Sequence, residues 1–137
     1  MACEHHKEKR KRVYEVKDDG CREKIKAELC DIEKELATIK TESTTYIRKA
    51  MIEIMLGMPE NSLESAKQAL AIDATSFFGW FILGCGYFET NNYQWAKDAY
   101  ENALKMKIDS GCASLYMDVA QDIMVNLLFI EAIKIKQ

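Results

Sequence analysis

Trp80-Phe81-Ile82-Leu83-Gly84-Cys85-Gly86-Tyr87, with Ala96, Tyr100 and Ala103-Leu104 downstream, decides how this chain folds. Trp80, Leu83 and Tyr87 fall three and four residues apart, which puts their side chains on one face of a helix. Asn91-Asn92 supplies a turn, since Asn tolerates left-handed backbone angles and bonds its own backbone. A second helix follows the turn. Gly84 and Ala96 are small where the two antiparallel helices approach most closely, so a larger side chain at either would push them apart. The stretch from Phe77 to Ser110 thus reads as a helix–turn–helix.

The order Trp, Leu-Gly, Tyr, Ala, Tyr, Ala resembles one tetratricopeptide repeat, a unit of about 34 residues. The resemblance implies an all-α fold, a stack of helical hairpins of the α-solenoid kind. Trp80, Leu83, Gly84, Tyr87, Ala96, Tyr100 and Ala103 are its packing signature. It also implies a protein-binding module rather than an enzyme, and leaves the partner unnamed. The unit recurs one repeat length earlier: Tyr46 stands for Trp80, Ala50 for Gly84, Ser62 for Ala96, Ala66 for Tyr100 and Ala69-Leu70 for Ala103-Leu104. Lys49 and Glu53 break the pattern where the family carries Leu and an aromatic. Either that helix is shifted by one residue, or its inner face is partly polar.

The 137 residues suit one domain with a modest core, and 48% are hydrophobic. Pro59 is the single proline, so helices can run almost uninterrupted. Alternating segments rich in valine and threonine, the mark of sheet, are missing. A net charge of -3 lacks the positive excess that nucleic-acid binding by bulk electrostatics requires. Residues 1–19 read as a disordered charged tail. Residues 20–42 hold an amphipathic helix with Ile25, Leu29, Ile32, Leu36 and Ile39 in a stripe. Two repeats follow at 43–76 and 77–110. Residues 111–137 form a capping helix, or a helix pair bent near Asn126, too interrupted by charge to span a membrane.

Chemistry finds little support. Cys3, His5 and His6 lack the second close ligand pair of a structural zinc site, so no metal is expected. Nucleophilic catalysis needs a His held beside its nucleophile, and both histidines lie in the tail. No phosphate-cradling glycine loop is present, so no cofactor is expected. Five cysteines, Cys3, Cys21, Cys30, Cys85 and Cys112, at irregular spacings read as free thiols. A cytoplasmic location follows, and Lys9-Arg10-Lys11-Arg12 raises a nuclear one. Trp95 is expected partly buried at the edge of the second repeat.

The resemblance also marks the positions that line the concave side of such an array. Here they are Thr44, Ile47, Met51, Ile54 and Met55 in the first repeat and Phe78, Phe81, Cys85 and Phe88 in the second, and the next helix continues the stripe with Cys112, Leu115, Val119 and Ile123. They predict one continuous apolar groove, either filled by the helix after Gly20 or open to a helix or extended segment of another protein. Repeats that clamp the carboxylate tails of heat-shock chaperones present Asn, Lys and Arg there. Only Arg48 and Lys49 come near that pattern, so a chaperone clamp is not expected. The function expected is a non-enzymatic adaptor or scaffold subunit, acting through partner binding or self-association within a larger assembly. The alternative is a nucleic-acid- or ribosome-associated factor whose basic run contacts phosphate.

Overall fold

A computed structural model describes residues 15–38, 42–106 and 113–136. Among these the chain forms six helices: α1 (Asp19–Thr38), α2 (Ser43–Met55), α3 (Pro59–Ile72), α4 (Phe77–Glu89), α5 (Tyr93–Lys105) and α6 (Ala113–Lys136). α2 with α3, and α4 with α5, are antiparallel hairpins, and α3 packs on α4 to join them. α1 lies against α2 at one end, and α6 against α5 and α4 at the other.

The two hairpins repeat each other bond for bond. In the first, Gly57 N donates to Ile54 O and Met58 N to Glu53 O; in the second, Asn91 N donates to Phe88 O and Asn92 N to Tyr87 O. Each turn needs one residue with positive φ, Gly57 at 75° and Asn91 at 66°. The register of the first repeat is therefore unshifted. Its inner face is polar instead, and Glu53 fills the place of Tyr87. Pro59 opens α3 at the position where its missing N–H costs nothing.

The linker between repeats is held by its own polar groups. The Asp73 carboxylate accepts from the Thr75 hydroxyl and backbone N–H, which hold its pKa below the usual carboxylate value. Ser76 caps α4 by accepting from Gly79 N, and the Trp80 indole N–H donates to Ala74 O at 2.8 Å. The signature tryptophan thus ties its helix to the segment that enters it.

Glycines set how closely α4 can be approached on two sides. A Cβ at Gly84 would lie 2.5 Å from Tyr100 Cδ1, inside the ring on α5. Cβ atoms at Gly79 and Gly86 would lie 2.9 and 2.8 Å from the Leu70 and Leu63 side chains on α3. The two glycines and the two leucines are each seven residues apart, in opposite directions, as antiparallel helices demand. Gly84 serves the hairpin, and Gly79 and Gly86 serve the junction between hairpins.

α6 is a single helix. Tyr116 stacks on Phe77 with ring centroids 4.9 Å apart, and Phe129 on Phe88 at 5.4 Å, so α6 runs parallel to α4. Asn126, expected at a bend, faces inward: its Nδ2 donates to the Tyr100 hydroxyl at 2.9 Å, which donates in turn to Cys85 Sγ. Val119, Ile123 and Ile130 are buried in the same core as Phe81, Cys85 and Phe88. α6 therefore occupies the place where a further repeat would put its first helix.

α1 builds a separate, smaller core, with Ile25 and Ile32 against Ile52 and Leu56. Arg48 reaches α1 rather than the concave side, pairing with Glu28 at 4.0 Å and Glu35 at 3.8 Å. The expected tail stops short of Asp19. Val16 N donates to Met55 O, and the Arg22 guanidinium donates to Val16 O and Leu56 O, so Glu15–Asp18 belong to the folded body. Residues 1–14, including Cys3, His5, His6 and the Lys9–Arg12 run, lie outside the described residues, as does Cys112.

Candidate functional site

The concave side is divided rather than continuous. Phe88 is buried beneath Phe129 and Tyr93, with ring centroids 5.4 and 5.5 Å away. Phe78 is half-buried, edge-on to Phe77. Ile47 is half-buried and stands outside the cavity wall. The expected single stripe fails because α6, apolar on most of its circumference, covers the second repeat. α1, one of the two expected occupants of the groove, packs instead on the adjoining face of α2, around Ile52 and Leu56.

Among the described residues a cavity of about 190 Å³ stays open, lined by Met51, Ile54, Met55, Phe81, Ile82, Cys85, Val119 and Asp122. Of the residues expected on the concave side it brings together Met51, Ile54, Met55, Phe81 and Cys85, with Val119 from the continuing helix. Three helices build it. α2 supplies one wall, α4 the floor, and α6 the far wall. Phe81, Ile82, Cys85 and Ile54 are buried, whereas Met51 stands 42% exposed at the mouth. Val119 and Asp122 come from a helix whose part in the site sequence reasoning saw only as a continuation of the apolar stripe. The carboxylate was missed altogether. Its signal was Asp118 and Asp122, four residues apart on an otherwise apolar helix.

The lining bears no nucleophile–base pair, and Cys85 is tied to Tyr100. The volume is below the several hundred Å³ usual for small-molecule and cofactor pockets. It exceeds the roughly 150 Å³ at which an apolar cavity already takes up benzene. One large apolar side chain is the size of guest that fits.

Glu53 sits behind this site, on the side of α2 that faces α3. It is only 2% exposed and accepts a short hydrogen bond from the Ser65 hydroxyl. Burial pushes its carboxyl up from the usual value; the Ser65 bond and Lys49 pull the other way, and Glu33 adds to the rise. The group is a polar plug in the core of the first hairpin. Trp95, expected partly covered, is 64% exposed, with its ring 5.6 Å from that of Tyr87. α6 packs on the other face of α5, against Tyr93, Lys97 and Tyr100, so it does not cover Trp95.

Among the described residues no helix is long and apolar enough to cross a membrane. No curated protein matches the chain. Residues 77–109, the α4–α5 hairpin, match the family model of the tetratricopeptide repeat. The Gly84–Tyr100 notch, the buried Ala96 and Ala103 and the all-helical stack agree with that match, and residues 77–109 are a tetratricopeptide repeat.

Proposed function

We propose that this protein is a non-enzymatic adaptor or scaffold subunit that takes an apolar segment of a partner protein into the cavity between α2, α4 and α6. The tetratricopeptide repeat is a protein-interaction module, and the observation that carries the reading is this open apolar cavity on its concave side. Left in water, its Met and Phe surface forgoes about 25 cal/mol for each Å² that a partner would cover. Arg48, the residue nearest to a carboxylate-clamp pattern, is committed to Glu28 and Glu35, which speaks against a chaperone tail as the guest. Two hairpins are fewer than the three that a free-standing array usually needs. α1 and α6 supply part of the missing burial, and residence in a larger assembly would supply more.

Met51→Asp tests the reading, because Met51 is exposed and its loss spares the core. The variant is expected to melt like the parent and to lose the partners that the parent retains in a quantitative pull-down from the native cell. Unchanged capture by Met51→Asp would overturn it.

A further inference from the structure

The cavity wall is apolar except at one point. Asp122 stands exposed at the rim on α6, across the opening from Met51. Among the described residues no cation pairs with it, whereas Glu28, Glu35 and Glu131 are all engaged by Arg or Lys. Asp118, one turn earlier on α6, is exposed as well. A carboxylate beside an apolar pit favours a guest whose apolar side chain is flanked by positive charge and disfavours one flanked by negative charge.

We infer that the occupant is a segment of another protein presenting one large aliphatic or aromatic side chain, with Lys or Arg within one helical turn of it. The side chain enters between Met51, Phe81 and Val119, and the cation meets Asp122. This rests on the proposed function and adds to it the sign of charge that the site selects. The cavity holds a single side chain, so affinity comes from the anchor and selectivity from the rim. A rim pair in water contributes little, about two- to fivefold in affinity, and screens with salt.

The test is selection of a displayed library of random peptides of about 16 residues against the full chain. Enriched peptides are then measured by fluorescence anisotropy on the parent, Met51→Asp, Asp122→Asn and Asp122→Lys, with melts confirming each fold. Expected are peptides that pair a large apolar residue with Lys or Arg. Met51→Asp should abolish their binding. Replacing the peptide cation by Glu should weaken binding about two- to fivefold at low salt, Asp122→Asn should erase that difference, and Asp122→Lys should reverse it. Peptides lost with Met51→Asp but indifferent to both Asp122 variants would overturn the charge selection and leave the groove function standing. Failure to enrich any peptide, or binding untouched by Met51→Asp, would overturn both. A dimer that Met51→Asp converts to monomer would make the occupant a second copy, overturning the inference. So would binders that emerge only when Lys9, Arg10, Lys11 and Arg12 are all replaced by serine, since the chain's own segment would then hold the site.

Discussion

Gly57 and Asn91 stand one repeat length apart, and each is the single positive-φ residue of its hairpin turn, at 75° and 66°. The same backbone is met by two different solutions. Glycine has no Cβ to clash, whereas asparagine tolerates the angle, and its side-chain oxygen accepts from the Tyr93 hydroxyl at 2.9 Å. Gly57→Ala should therefore cost about 1 kcal/mol in urea unfolding, and Asn91→Ala a similar amount. Asn91→Gly should be close to neutral, with relief of backbone strain offsetting the lost hydrogen bond. A stabilising Gly57→Ala would contradict the turn geometry.

Gly84→Ala sets two effects against each other. Alanine is the better helix former by about 1 kcal/mol, but its methyl would sit inside the van der Waals radius of the Tyr100 ring. Tyr100 is fully buried and held by Asn126 and Cys85, so it has nowhere to go. The clash should win, giving a net loss of about 1–3 kcal/mol, and Gly84→Leu should lose more. Gly86→Ala meets Cδ2 and Cγ of Leu63 at 2.8 Å, a half-buried side chain freer to turn than the Tyr100 ring, and should lose less. Equal melting temperatures for the parent and Gly84→Ala would show that α4 and α5 are further apart than described.

Ser62 is the residue that the second repeat replaces with Ala96. Its hydroxyl is fully buried and has no hydrogen-bond partner among the described residues. Ser62→Ala should stabilise the fold by about 1 kcal/mol, since it removes an unpaired polar group and leaves no large void. Chemical denaturation with an unchanged m-value checks this, and a destabilised variant would mean that the hydroxyl is satisfied.

Glu53 makes stability depend on pH in an unusual direction for a carboxylate. Its folded pKa is raised, mainly by burial, so folding favours the protonated form. Its favourable contribution is complete below the unfolded carboxylate value, near pH 4, and is lost as pH rises through the higher folded value. Glu53→Gln keeps an oxygen for the Ser65 hydroxyl and removes the buried charge. The variant should gain melting temperature over the parent at pH 7 and little at pH 4. A parent and variant that stay parallel across that range would show that Glu53 is not held out of water.

The hairpins were legible in the sequence because their determinants are local. Gly84, Ala96, Asn91 and the spacing of Trp80, Leu83 and Tyr87 all act within a single unit. The stripe on α1 was equally plain, and Ile25 and Ile32 are buried as it implies. What the sequence concealed was which stripe covers which face. α1 and α6 both carry apolar residues at helical spacing, and only three-dimensional packing sends α1 to Ile52 and Leu56 and α6 to Phe81 and Phe88. The polar face of α2 raised the same difficulty. Glu53 looked like a break in the pattern until Ser65, on the facing helix, supplied the compensating hydroxyl. Trp95 was misread because burial of an edge residue depends on which face of α5 the next helix covers, and α6 takes the face of Tyr93 and Lys97.

Cys85 gives the cavity a built-in chemical reporter. Cys85 lines the floor and is 1% exposed, whereas Cys21 and Cys30 lie in the open on α1. A small alkylating reagent will mark the two α1 thiols at once and reach Cys85 only as fast as the repeat breathes. Anything seated between Met51 and Val119 must slow that one reaction and leave those of Cys21 and Cys30 unchanged. The ratio of the labelling rates is therefore an occupancy gauge that needs no tag and no dye, and it reads the same way whatever the guest.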